Sequence, residues 1–283
     1  MSKEEPQRDN DILLEGWDVY PPIPKSIPAC IPVPFLELPR VLSTVSMVEY
    51  VDSAISYYRS FCNKRFLFRG HSDSSYKLVS TLGRMGEKGT DSDRLKYKQL
   101  KQICLKYKCD LFRLSSFNEE LFYLSIGRHL TFTCRLLDWT VGFWAAISFL
   151  LYDNPDKDGS LWVMSIPQDF AWENRNPFEI KDNKIHILKE DYYIPDDDLS
   201  VPLGIMRRSH QNGVFTVVGE KSIREPLNSL PDNGDGLAFR EFIIPKSVKD
   251  ALRNSTKLIS VDEWFYINKS SPIIEEISDL NSL

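Results

Sequence analysis

No two cysteines in this chain stand at CxxC spacing, and the five present (Cys30, Cys62, Cys104, Cys109 and Cys134) leave one over. That pattern argues against a disulfide framework or a zinc ribbon and fits reduced thiols, so a cytoplasmic setting and no metal are expected. A glycine-rich phosphate loop is also missing. Gly86-Glu87-Lys88-Gly89 lacks P-loop spacing and no GxGxxG follows a predicted strand, which removes a Rossmann cofactor domain from consideration. There is no excess of positive charge: with a formal net charge of -5 and a pI near 5.5, any nucleic-acid binding has to come from a local patch. The longest apolar run, Gly142 to Tyr152, is too short for a bilayer, and the start, Met1 to Asn10, is charged rather than apolar. Neither a membrane span nor a signal peptide is expected, and no internal repeat is visible.

What is present is enough apolar residue for a full core: 42% of 283 residues. Residues 1–43 read as an arm, because Pro21, Pro22, Pro24, Pro28, Pro32, Pro34 and Pro39 exclude helix and favour extended chain. Ile23, Ile27, Ile31, Val33, Phe35 and Leu36 interleave with them, so the arm is too apolar for a solvated tether and is expected to pack on its own domain or on a partner chain. Residues 44–283 form the second unit. Ser46 and Glu49 have capping-box spacing ahead of Val48, Val51, Ile55 and Tyr58, predicting a helix of roughly four turns. Strands are predicted over 65–69, 136–139, 160–166, 214–218 and 239–244, and helices over 91–112, 118–130 and 141–152, the last capped by Thr140. Helices before and between strands indicate an α+β fold.

Two segments break the pattern of their surroundings. Thr133-Cys134-Arg135-Leu136-Leu137-Asp138-Trp139-Thr140 sets an Arg and an Asp in an apolar run, where charges are costly unless paired. Arg135 and Asp138 are three residues apart, so on a strand they point to opposite faces and reach different partners, Asp138 meeting Arg69 or His129. The other segment, Phe66-Leu67-Phe68-Arg69-Gly70-His71, ends a β-rich run on Arg followed by Gly. Gly70 there permits a close approach to the backbone. Arg69 is either half of an ion pair with Asp73 or Asp138, or a bidentate holder of phosphate. His71, His129 and His210 lie in or beside these segments, and each is by default a hydrogen-bonded structural residue; His186 falls in a polar loop. Arg94, Lys98, Lys101 and Lys108 share a helix face with Tyr97 and Tyr107 close by, either a solvated face or a surface for nucleic acid. Gln211, Asn212 and Phe215 form a turn into a strand or contribute an amide and a ring to a ligand pocket.

Taken in order, Phe68-Arg69-Gly70-His71, Leu78 to Arg84, Arg128-His129, Thr133 to Thr140, Gln211 to Phe215 and Glu241 to Pro245 resemble the FRG domain family, over about residues 47–265. The layout of that family looks like that of the ADP-ribosyltransferases, which implies a mixed-sheet core with flanking helices and an NAD site. By that resemblance Arg69, Gly70, His71, Thr140, Gln211 and Phe215 bind NAD, and Arg69 holds its pyrophosphate. His129, Arg135 and Asp138 support them, and Glu241 is the catalytic carboxylate beside the charge that develops at the ribose. The residue two before Glu241 is Phe239, where enzymes that modify protein side chains often carry Glu or Gln, and this points to a nucleic acid base as acceptor. On the residues alone, Glu241 is equally a strand carboxylate paired with Arg240 or Lys246. The expectation is a toxin or defence effector of a prokaryote or phage that transfers ADP-ribose to a macromolecule, RNA or DNA slightly ahead of protein, with an antitoxin or other protein as partner. The alternative is a non-catalytic nucleotide-binding module for sensing or interaction.

Overall fold

The computed structural model describes residues 34–62, 64–109, 113, 115–189, 213–231, 235–254 and 272–282. Among these, six strands form one sheet: β1 (Lys64–His71), β2 (Leu137–Thr140), β3 (Gly159–Pro167), β4 (His186–Lys189), β5 (Gly213–Val217) and β6 (Ala238–Ile244). Their order is β4-β5-β2-β1-β3-β6, and every neighbouring pair is antiparallel. The α+β expectation holds, but the mixed sheet is corrected to an antiparallel one.

Among the described residues seven α-helices accompany it: α1 (Val45–Phe61), α2 (Thr81–Arg84), α3 (Glu87–Lys106), α4 (Glu119–His129), α5 (Phe143–Tyr152), α6 (Lys246–Leu252) and α7 (Pro272–Ser282). Helix α1 starts at Thr44, whose hydroxyl accepts from the Met47 amide at 3.2 Å, rather than at Ser46. Its Val48, Val51, Ala54, Ile55 and Tyr58 form the buried stripe that the spacing predicts. Thr140 does not cap α5. Gly142 is its N-cap, and Thr140 Oγ1 accepts from the Gly142 amide at 3.1 Å, so the hydroxyl closes the turn that feeds the helix. Among the described residues, no helix is long and apolar enough to cross a membrane.

Directly opposed residues share a sheet face, and this fixes the layers. One face carries Phe66, Phe68, Leu161, Val163, Phe242 and Ile244 beneath α1, α5 and α6. Its other half carries Leu188, Phe215 and Val217 beneath α3, α4 and α7. The opposite face bears Leu67, Trp139, Trp162, Met164 and Val214, and is covered by Leu78 and Leu82 beside α2 and by Ile223 and Leu227.

The described end of the proline-rich arm packs on its own domain. Leu38 and Leu42 are fully buried, and the ring of Phe35 meets Tyr58, Phe66 and Phe242 edge to face. Arg40 and Leu42 hydrogen-bond to Ile243 through their backbones at 2.7 and 2.8 Å, which covers the open edge of β6. The remainder of the arm lies outside the described residues. A second tie is Lys249 on α6, fully buried, whose ammonium donates to the carbonyls of Ser72, Asn154 and Lys157 at 2.9, 2.9 and 3.0 Å. It fixes the chain leaving β1 to the turn before β3.

Candidate functional site

The site begins where β1 and β2 part. The two strands share a single paired position, Phe68 with Thr140. Beyond it the Arg69 guanidinium fills the opening, donating from Nη1 to the Asp138 carbonyl at 2.6 Å, with the Asp138 carboxylate at 3.4 Å. Asp73, the other candidate partner of Arg69, is taken by Lys157 at 2.7 Å. From α4, Arg128 grips the same Asp138 Oδ2 through Nε at 2.9 Å and Nη2 at 2.8 Å. Asp138 Oδ1 is buried without a hydrogen bond among the described residues.

His71 completes the row behind Arg69. Its Nε2 accepts from Arg69 Nε at 2.9 Å while Nδ1 faces the Tyr76 carbonyl at 3.1 Å, an arrangement that requires the neutral ring with the proton on Nδ1. Burial, reinforced by Arg69 and Arg84, pushes its pKa down to about 3. His129 lies edge-on to Phe215 at 6.0 Å, on the same side of the sheet as Asp138.

The electrostatics separate the two arginines that meet Asp138. Burial lowers Arg69 to about 10, opposed by Asp138 and aided by Arg128 and Arg84. Burial also disfavours the Arg128 cation, yet the two-pronged grip on Asp138 outweighs it and the net direction is upward. Asp138, which burial alone would raise, is held below the usual carboxylate range by Arg128 and Arg69. Arg84, exposed at the end of α2, makes no ion pair or hydrogen bond through its side chain among the described residues. Burial of its stem and the nearby Arg128 push its pKa down. Tyr76, 45% exposed, stands beside it, its ring edge-on to His71 at 6.1 Å.

Several expected site residues take other roles. Gly70 does admit a close approach, but by α5: a Cβ there would lie 1.9 Å from the Ala146 carbonyl oxygen, so that side is closed to a ligand. Phe215 is fully buried in the core beneath α4 and cannot line an open pocket. Gln211 lies outside the described residues, as do Asn212 and His210. His186 is not in a loop but on β4, between Glu173 and Asp182 at 2.7 Å each. Arg135 is buried in a pair with Asp93 and donates to the Pro177 carbonyl at 3.1 Å, its guanidinium stacked 4.6 Å from the Phe178 ring. It is scaffold and reaches a partner different from that of Asp138, but it lies before β2 rather than on it, so strand alternation is not the reason.

The basic face of α3 is largely spent inside the fold. Arg94 stacks on Phe178 and donates to its carbonyl, and Lys101 pairs with Glu119 at 2.6 Å. Tyr97 is buried, and Tyr107 donates to Glu276 at 2.8 Å. Lys98 and Lys108 remain exposed, too few for a phosphate-tracking stripe.

Glu241 stands at a second place on the same sheet face. Arg69 opposes Trp162, and Trp162 opposes Glu241, so the three form one row across β1, β3 and β6. The Glu241 carboxylate pairs with Arg40 of the arm at 2.5 Å, not with Arg240 or Lys246. It lines a cavity of about 510 Å³ with Arg40, Trp162, Leu227, Leu237 and Phe239, which contains neither Arg69 nor Asp138. Trp162 Nε1 is buried there with no hydrogen-bond partner among the described residues. The described residues hold no cluster of three or more metal-ligating side chains.

This is an α+β domain whose sheet opens onto a cluster of arginines around one carboxylate. Residues 64–159 match the FRG domain family model, and that stretch of the chain is an FRG domain. Arg69, Arg84, Arg128 and Asp138 all fall within the match; Glu241 and its cavity do not. No curated protein and no solved structure matched the chain.

Sequence reasoning left Arg84 and Arg128 without a role although both stand in segments that carry the family resemblance. The available signal was that a buried carboxylate at Asp138 needs more than one cation. Arg40 and Trp162 had no such signal.

Proposed function

We propose that the chain transfers ADP-ribose from NAD to a macromolecular acceptor, using the row from Arg69 through Trp162 to Glu241. The observation that carries this reading is that row: the Arg69 guanidinium at one end and a carboxylate in a cavity at the other, on one face of the sheet. With strands ~4.8 Å apart, the β1 and β6 backbones stand roughly 10 Å apart, a span suited to an extended dinucleotide. The cavity size lies within the range of small-molecule sites.

In this reading Arg69, braced by His71 and Asp138, holds the diphosphate, and Glu241 stabilises the positive charge that develops at the ribose as its bond to nicotinamide breaks. Nicotinamide leaves with the bonding electrons, and the acceptor nucleophile takes its place while losing a proton. RNA or DNA is the proposed acceptor, and a cytoplasmic toxin or defence effector, held by an antitoxin or other protein, is the proposed setting. Glu241→Gln is expected to keep NAD affinity by calorimetry and to lower transfer from labelled NAD by roughly 100-fold to 1,000-fold. Unchanged transfer in the variant would remove Glu241 from the mechanism, and wild type that fails to bind NAD would end the transferase reading.

One observation favours a second reading. Arg40 already neutralises Glu241, an arrangement that suits a module which binds a nucleotide and does not turn it over.

A further inference from the structure

One cation is already seated at the Glu241 cavity. The carboxylate side chain is 14% exposed and pairs with Arg40 Nη2 at 2.5 Å, while the Arg40 side chain is 65% exposed and makes no other hydrogen bond among the described residues. The backbone that carries Arg40 is fixed. Leu38 and Leu42 are fully buried on either side of it, and the Arg40 carbonyl and Leu42 amide both bond to Ile243 on β6. The guanidinium is therefore tethered beside Glu241 yet open to water over most of its surface.

The other charges at the cavity are occupied elsewhere. Arg240 opposes Val163 and so points to the other face of β6, where it donates to the Leu38 carbonyl and lies 5.9 Å from the Phe242 ring. Asp235 pairs with Lys184 at 3.7 Å. Displacing Arg40 thus leaves Glu241 without a counter-ion among Trp162, Leu227, Leu237 and Phe239. A largely buried carboxylate stripped of its partner is strongly disfavoured. A neutral ligand that pushes Arg40 aside strands that charge, whereas a cationic one replaces the charge it displaces. The walls favour the same class of ligand: Phe239, two residues before Glu241, and Trp162, opposite it on β3, share its sheet face, and aromatic rings attract a cation.

We infer that the cavity selects a planar organic cation, the alkylated pyridinium ring of a nicotinamide nucleotide, and that Arg40 is the tethered counter-ion which this ring displaces from Glu241. The identity of the ring rests on the NAD of the proposed function; the exchange of counter-ions does not depend on transfer. Nicotinamide that has left the ribose is neutral and no longer competes with Arg40, so the same exchange run backwards clears the cavity.

The test is calorimetry on the full chain with two matched pairs of titrants, NAD against NADH and 1-methylnicotinamide against nicotinamide. The members of each pair differ chiefly in the positive charge of the ring. Wild type should bind the cationic member tighter by about tenfold or more in both pairs. Arg40→Ala removes an exposed side chain and keeps the backbone bonds to Ile243, so it is expected to fold, as circular dichroism will verify. It should tighten 1-methylnicotinamide by about two- to fivefold, the worth of the exposed ion pair that competes, and Arg40→Lys should stay near wild type. Glu241→Gln removes the attraction and the competitor together, so NAD affinity is kept and NADH affinity should rise to meet it. Preference for NAD over NADH with no transfer would keep this inference and remove the transferase. Transfer together with equal affinity for NAD and NADH would do the reverse. Affinity for 1-methylnicotinamide indifferent to Arg40→Ala, or folded wild type that binds none of the four titrants, would overturn the inference.

Discussion

Replacing Gly70 by alanine is the sharpest test of how this sheet is held. The added methyl would stand 1.9 Å from the Ala146 carbonyl oxygen, 2.8 Å from the Leu150 amide nitrogen and 3.0 Å from the Ala146 carbonyl carbon, all backbone atoms of α5. None can rotate away, so the whole helix has to back off β1 by about 1.5 Å to reach ordinary contact near 3.4 Å. Overpacking of this kind costs about 1–3 kcal/mol, and a rigid obstacle puts the cost in the upper half of that range. For a domain of this size the melting temperature should fall by about 4–12 °C. Gly127→Ala is the matched control. On α4 its methyl meets the far end of the Leu100 side chain at 2.7 Å and the Phe132 Cβ at 3.1 Å, side-chain atoms rather than backbone, and alanine gains about 1 kcal/mol of helix propensity over glycine. Thermal unfolding followed by circular dichroism should show Gly127→Ala near wild type and Gly70→Ala well below it. If the two variants melt together, the flush seating of α5 on β1 is not what Gly70 secures.

Two other outcomes follow from buried charge. The unfolded chain protonates His71 near its ordinary 6.5 whereas the folded protein keeps it neutral down to about 3, so folding stability should decline as pH falls from 6.5 towards 4. His71 alone accounts for up to about a tenfold change in the folding constant per pH unit in that window, and urea titrations of His71→Gln should show a flatter profile than wild type. Arg135→Met strands the Asp93 carboxylate in the core and should cost about 3–5 kcal/mol in urea unfolding, while adding Asp93→Leu should recover much of that loss. A double variant no more stable than the single would show that the pair itself, not the stranded charge, sets the cost.

The elements that sequence reasoning located are those whose pattern is set by one burial surface. Helix α1 shows its stripe at helical spacing, and α5, apolar but for Ser148, packs on β1 and β3. Strand β4 went unrecognised because its four residues, His186 to Lys189, have a polar residue at each end and too few alternations to show a period. The caps at Thr44 and Gly142 displaced those expected at Ser46 and Thr140 because serine and threonine satisfy several local motifs equally well. Only the chain direction after them decides which forms. Phe215 looked like a pocket ring from its position after a turn. It is core because α4 covers that half of the sheet, a tertiary fact with no local trace.

The candidate site was legible in its parts and not in its joining. Strict alternation places Arg69 and Asp138 on opposite faces of a regular sheet, since Asp138 falls on the helical face with Phe215 while Arg69 shares its face with Trp162. They meet because β1 and β2 separate after one paired position, which lets a guanidinium take the place of the missing ladder. The adjacent residue holds the other side of the strand. Gly70 allows α5 to seat directly on β1, Arg69 occupies the gap on the β2 side, and Arg128 closes on Asp138 from α4. Each half of the Arg-Gly pair therefore depends on the other. Widening residue 70 moves the strand that aims Arg69, and removing Arg69 leaves the Asp138 carbonyl in an opening with no strand to replace it.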